Sequence, residues 1–237
     1  MIGASRRHIY EPYPTLRTER LLLWEFSPED APDVRTLAGV RKLARTTRPI
    51  PHPYPEGEAE RWISTHRAAF EAGEVLHFAV QTREGGELVG GITLAITPGD
   101  ARAHLTYWIG VPYWGKGYAT EAAREAVRYA FEDLGLQRLY AAHFGSNPAS
   151  GKVMRKIGMT HEGTLRGHHK KWGEYEDRVE YGLLARDWRV SSRGELLRAH
   201  QPRTRMNSVS FVGSCATRGP TQRRLLCPGC PRSSPPP

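Results

Sequence analysis

Residues 107–134, YWIGVPYWGKGYATEAAREAVRYAFEDL, constrain this chain more than any other stretch. They read as a strand, a glycine turn and a helix in immediate succession. Tyr107 to Val111 is a short β-branched and aromatic run that Pro112 stops. Gly115 and Gly117 supply backbone conformations that other residues reach only at a cost. From Ala119 onward, Ala122, Ala123, Ala126, Val127, Ala130, Phe131 and Leu134 fall on one helical stripe, with Arg124, Arg128 and Glu132 on the other face. Gly135 comes next, where a helix end favours a left-handed residue. A glycine turn feeding a helix leaves the first N–H groups of that helix unpaired and pointing one way, which makes an anion site suited to phosphate. Two familiar phosphate patterns do not fit. No window supplies Gly-x-x-x-x-Gly-Lys-Ser/Thr. The dinucleotide fingerprint wants a small residue where Thr120 stands, near the start of a βαβ unit that the flanking sequence does not form. The plain alternative is a solvent loop between strand and helix.

The flanking pattern is that of a mixed α/β chain. Leu16 to Phe26 reads as a first strand, and Ser27-Pro28 as a helix start continued by Val34, Leu37 and Ala38 and on toward Leu43. Thr46 to Pro55 holds four prolines and is a loop. A second helix carries Ala59, Trp62, Ile63, His66 and Phe70 and ends at Gly73. Strands at 77–82, 88–97 and 103–111 form an antiparallel meander leading into the glycine turn. Arg138 to Phe144 is a buried strand, and Asn147-Pro148-Ala149-Ser150 opens a short helix. Residues 159–165 and 174–184 make a last hairpin. Meander, turn and helix in that order give an α+β fold, not a doubly wound one.

Charge divides the chain into a near-neutral body and a basic tail. The chain of 237 residues carries a net charge of +9. Residues 189–237 hold nine Arg, no Lys and one acid, Glu195, for a net of +8, which leaves +1 for residues 1–188. A nucleic-acid reading therefore rests on the tail alone. All three Cys also lie there, so the body has no disulfide and no nucleophilic thiol, consistent with a cytoplasmic protein. No apolar run approaches the roughly 20 residues of a membrane span. Residues 1–14 read as an irregular lead-in, 15–188 as one domain, and 189–237 as an Arg-, Pro- and Ser-rich disordered tail. Within the tail, Cys227-Pro228-Gly229-Cys230 is half a zinc site that Cys215 and His200 would have to complete, so no metal is assigned. A weak RNA contact through the arginines is the functional reading of the tail, and a non-homologous extension is the preferred one.

Trp114-Gly115-Lys116-Gly117-Tyr118-Ala119 resembles the acetyl-CoA pyrophosphate loop of the GNAT N-acetyltransferases, Gln/Arg-x-x-Gly-x-Gly/Ala, with Trp114 departing at the first position. The longer string YWGKGYATEA is similar to the RimJ/RimL branch. Asn147 and SGKVMRKIGM resemble the second signature of that family, Asn-x-x-Ser before an apolar helix, and the resemblance spans about Leu16 to Trp188. It implies a GNAT fold, with a mostly antiparallel twisted sheet of about six to seven strands flanked by helices. It also implies an acetyl-CoA-dependent transfer to a primary amine, most simply a protein N-terminal α-amine, by a monomer or homodimer. A polyamine- or aminoglycoside-like acceptor is the first alternative. A degenerate acetyltransferase body serving a nucleic-acid-binding tail is the second.

The resemblance also assigns roles residue by residue. Gly115, Lys116, Gly117, Tyr118, Ala119 and Thr120, with Trp114, hold the coenzyme pyrophosphate, and Asn147 adds a contact. A backbone N–H between Ile109 and Val111 stabilises the thioester oxyanion, on a strand that splays from the next one. Ser150 protonates the leaving thiolate, for which a weak acid suffices because a thiol pKa lies near about 8.5. The base falls near His168 and His169, where relatives carry an acid, and His169 is the residue assigned. Glu162 and Glu174 are alternatives, and a desolvated amine also loses its proton without a dedicated base. Each assignment has a plainer counterpart. Ser150 can simply bond backbone in the first helical turn, Asn147 can cap the helix before Pro148, and His169 can be an exposed turn residue beside Lys170 and Lys171.

Overall fold

A computed structural model describes residues 12–188. The expectations for residues 1–11 and for the tail, including its cysteines and the RNA contact, lie outside the described residues. Among the described residues eight strands form one sheet: β1 (Leu16–Arg17), β2 (Leu21–Glu25), β3 (Val75–Thr82), β4 (Leu88–Thr97), β5 (Arg102–Ile109), β6 (Arg138–Phe144), β7 (Thr160–Lys171) and β8 (Glu174–Leu184). Their order is β1-β2-β3-β4-β5-β6-β8-β7. Every neighbouring pair is antiparallel except β5 and β6, which are parallel. The expected mixed, mostly antiparallel sheet is thus present, with eight strands among the described residues in place of six or seven. The expected first strand is a hairpin because Thr18 turns the chain: its amide donates to the Leu21 carbonyl at 2.9 Å and its hydroxyl accepts the Leu21 amide at 2.9 Å.

The described α-helices cover the two faces: α1 (Ala31–Ala38), α2 (Arg41–Ala44), α3 (Glu58–Ser64), α4 (His66–Glu71), α5 (Tyr118–Arg128) and α6 (Pro148–Lys156). Helix α5 runs on as a π-helical turn at Tyr129–Asp133, and Gly135 closes it at φ 66°. The single expected helix over residues 59–70 divides at Thr65, whose hydroxyl donates to the Trp62 carbonyl at 2.7 Å. Period-2 alternation sorts the sheet residues. Ala103, Leu105, Leu139, Ala141, Tyr181 and Leu183 pack with Ala122, Ala126 and Met154 of α5 and α6. Phe26, Ala79 and Trp108 pack with Val34, Leu37, Ala59 and Ile63 of α1 and α3 on the opposite face. Among the described residues no helix is long and apolar enough to cross a membrane.

One buried polar group makes the fold acid-sensitive. His66 is 2% exposed and neither ring nitrogen has a hydrogen-bond partner. Its ring stacks on His77 at 3.9 Å. Burial lowers the His66 pKa to about 3, with His77 adding to the shift, and lowers that of His77 to about 4. Both are therefore neutral when folded, while the unfolded chain takes up protons below about pH 6.5. This contribution to stability is present above pH 6.5 and is lost as the pH falls toward 4. The loss is on the order of 3 kcal/mol for His77 alone. Tm measured from pH 7 to 4 is expected to fall steeply, and His66→Phe is expected to flatten the curve. An unchanged slope in that variant contradicts the account.

Candidate active site

The parallel pair β5 and β6 is joined over a short length. Arg102, Ala103 and His104 pair with Arg138, Leu139 and Tyr140, yet β5 continues to Ile109 and β6 to Phe144. Beyond His104 the two strands are unpaired with each other, and β6 is taken up on its far side by β8 through Phe144. Gly110 donates its amide to the Val89 carbonyl of β4 at 2.8 Å. Amide directions alternate along an antiparallel strand. The N–H groups of Tyr107 and Ile109 therefore point the other way, into the gap. A cavity of about 1280 Å³ passes through this gap, lined on one face by Tyr107, Ser150 and Met154 and on the other by Thr106, Trp108 and Arg178.

The glycine turn forms one end of the cavity. Gly115 and Gly117 sit at φ 80° and 84°, the left-handed region in which glycine alone is unstrained. Among the described residues the amides of Gly115, Lys116, Gly117, Tyr118 and Ala119 have no hydrogen-bond acceptor. Five consecutive free donors thus stand at the start of α5, where a helix N-terminus favours an anion. Arg20 braces it, donating to the Lys116 carbonyl at 3.1 Å and lying 4.8 Å above the Tyr118 ring. Glu121 fixes Arg20 in turn, accepting from Arg20 Nε at 2.7 Å, the Arg20 amide at 2.9 Å and Thr18 Oγ1 at 2.6 Å. Burial pushes the Glu121 carboxyl up, but the hydrogen bonds from Thr18 and Arg20 outweigh it and hold the pKa below its ordinary value. Arg20→Ala is expected to raise the KM for acetyl-CoA about fivefold by loosening the loop, with little change in kcat. A steady-state titration of the coenzyme checks it.

Ser150 faces the same gap. Asn147 caps α6, its Oδ1 accepting the Ser150 amide at 3.3 Å. The Ser150 hydroxyl pairs with the Tyr107 hydroxyl at 2.8 Å, and Tyr107 also lies 3.0 Å from the Ser150 carbonyl. Burial raises the Tyr107 pKa to about 12, against the opposing hydrogen bond with Ser150, so Tyr107 stays protonated near neutrality. Gly151 lets α6 approach β6: a Cβ there would stand 2.6 Å from His143 Nε2.

His169 lies on the opposite face of the gap, its ring 5.8 Å from that of Phe144. Burial lowers its pKa first, and Arg48, His168 and Arg178 add to the effect against the pull of Glu180. The other expected base positions lie elsewhere. Glu162 is held by Arg138 at 2.5 and 2.8 Å, and neither it nor Glu174 nor His168 lines the cavity. Of the coenzyme positions, Ile109, Trp114, Gly115, Gly117, Tyr118, Ala119, Thr120 and Asn147 line it. Val111 and Lys116 do not: Val111 packs toward the α1 and α3 cluster, and the Lys116 ammonium lies 5.1 Å above the Tyr113 ring. Trp114 turns its indole inward to donate to the Ile109 carbonyl at 2.5 Å. Sequence reading missed Tyr107 as a side chain, the Arg20–Glu121 brace and Arg178. Among the described residues no group of three His, Cys, Asp or Glu is placed to hold a metal ion.

The chain is similar to known proteins. The model of the acetyltransferase (GNAT) domain matches residues 20–160. The uncharacterised N-acetyltransferase YoaA of Bacillus subtilis (strain 168) is 28% identical over 73% of this chain and 97% of its own length. The [ribosomal protein uS5]-alanine N-acetyltransferase of Escherichia coli (strain K12) is 27% identical over 58% of this chain and 71% of its own. The solved structure of RimL, a ribosomal L7/L12 alpha-N-protein acetyltransferase in complex with coenzyme A, shares the fold. It has a TM-score of 0.67 and 18% identity, over 72% of this chain and 98% of that one. The domain match covers more than half of the chain, and the chain belongs to the GNAT family of acetyltransferases, which take the acetyl group from acetyl-CoA.

Proposed function

We propose that this protein transfers an acetyl group from acetyl-CoA directly to a protein N-terminal α-amine. The observation that carries this reading is the cavity through the β5–β6 gap, with free amides and Ser150 on the α5–α6 side and Thr106, Trp108 and Arg178 on the other. An N-terminus is the end of an extended chain and can enter such a gap from that other side. The Escherichia coli relative, a [ribosomal protein uS5]-alanine N-acetyltransferase, favours the same acceptor.

In this reading the amides of residues 115–119, with Thr120 and Asn147 beside them, hold the pyrophosphate and the adjoining arm of the coenzyme. The amine attacks the thioester carbonyl, and the Ile109 N–H faces the oxygen that gains charge. The carbon–sulfur bond then breaks, and the thiolate takes the Ser150 proton; the Tyr107 hydroxyl passes its own proton to the Ser150 oxygen 2.8 Å away, and a solvent proton restores Tyr107. His169 accepts the proton lost by the amine. Since no Cys occurs before residue 215, an acetyl-cysteine intermediate is not part of the route. A coenzyme-release assay across peptide N-termini, polyamines and aminoglycosides tests the proposal. Turnover of peptides is the expected result, and turnover confined to small amines overturns it.

A further inference from the structure

The side of the cavity away from α5 and α6 carries positive charge that the coenzyme does not explain. The phosphate cradle belongs to the α5–α6 side. Arg178 is on the other side, since it lies opposite Phe144 and alternates along β8 with Tyr181 and Leu183, which are buried under α5 and α6. Arg45 and Arg48 stand on the segment between α2 and α3, helices that cover this second face. Lys171 at the tip of the β7–β8 hairpin draws that segment across the cavity, donating to the carbonyls of Arg48 at 3.2 Å and Ile50 at 2.8 Å. Arg41 reinforces the bridge from 5.1 Å above the Trp172 ring. The result is an arch whose underside faces the gap.

Arg45 and Arg48, which line the cavity, are not neutralised. Among the described residues neither Arg45 nor Arg48 has a carboxylate within ion-pair distance. Arg178 pairs with Glu180. Glu58 is the one acid among the described residues lining the cavity, and Arg61 already pairs with it. The lowered pKa of His169, which owes part of its shift to Arg48 and Arg178, reports the same field. A guanidinium offers a planar fork that matches a carboxylate in two hydrogen bonds. A polycation entering here meets like charge.

We propose that the acceptor is an acidic N-terminal segment, whose carboxylates following the α-amine are held by Arg48 and Arg45. The proposal rests on the N-terminal reading above and adds the chemistry of the residues behind the amine. It also argues against polyamines as acceptors.

The test compares two peptides with the same first residue, Ser-Asp-Glu-Ala and Ser-Lys-Lys-Ala, in the coenzyme-release assay with full-length protein. The acidic peptide is expected to have the higher kcat/KM, by roughly tenfold at low salt. The preference should shrink as ionic strength rises. Arg48→Glu, alone and with Arg45→Glu, is expected to remove or invert it through KM, while acetyl-CoA affinity is unchanged. Equal use of both peptides, or a preference that survives both substitutions, overturns the proposal and leaves the N-terminal reading standing. If neither peptide is acetylated while spermidine is, the N-terminal reading falls and this proposal falls with it.

Discussion

Gly117→Val is expected to remove acetyl-CoA binding at concentrations that saturate the unaltered protein. Gly117 stands at φ 84°, among the unpaired amides of residues 115–119. A side chain in the left-handed region costs about 1–2 kcal/mol, and a β-branched one more. The loop escapes this cost by rotating, which turns the Gly117 and Tyr118 amides away from the pyrophosphate. Each lost hydrogen bond to a charged group is worth roughly 1.5–3 kcal/mol. The sum predicts a hundredfold or greater loss of affinity. The space around Gly117 is open, its nearest neighbour being Arg20 at 3.5 Å, so the backbone and not a clash carries the effect. Gly117→Ala should therefore fall in between. Thermal shift with and without acetyl-CoA is the measurement: the unaltered protein gains Tm with ligand, and the variant should not. An undiminished shift in Gly117→Val would remove the turn from the coenzyme site.

Features set by neighbouring residues could be read beforehand, and features set by distant ones could not. The turn and α5 were legible because one uninterrupted stretch contains the glycines, the apolar stripe and the closing Gly135. Strand β4 and strand β6 were legible with their bounds, because turn residues flank short apolar runs. The Leu16–Phe26 run was not, since the Thr18 hydrogen bonds that fold it leave no mark on hydropathy. Strand β7 extends to Lys171, past the expected Leu165, as its outer residues are polar and exposed and pair with β8 only in three dimensions. The Asn147 cap over the Ser150 amide was legible because capping is a matter of a few residues. Tyr107 was not, because its partner lies 43 positions away on another element. The arginines of the arch were equally hidden, since Lys171 meets the Arg48 carbonyl across 123 positions. Long-range polar contacts of this kind have no periodicity for a sequence to display.

Ser150→Ala is expected to lower kcat by roughly a hundredfold while leaving acetyl-CoA affinity unchanged. General acids contribute about 10²–10⁴-fold, and an easily expelled thiolate places the loss at the low end. Tyr107→Phe should cost less, because it removes the group that backs the Ser150 hydroxyl at 2.8 Å and not the acid itself. The two losses should fail to add, since they act on one proton. His169 is tested by pH. Burial, Arg48, His168 and Arg178 hold its pKa below the ordinary value of 6.5, so it is neutral and able to accept a proton at pH 7. The acidic limb of the kcat/KM profile should therefore lie below 6.5 and vanish or move in His169→Gln. The acceptor amine titrates as well, near about 7.7–8.0 for an α-amine. Repeating the profile with an acceptor of lower amine pKa separates the two groups. A limb fixed in position belongs to the protein, and its loss in His169→Gln assigns it. A limb that follows the acceptor and survives His169→Gln removes this histidine from the proton path, and the amine then loses its proton on entering the gap between β5 and β6.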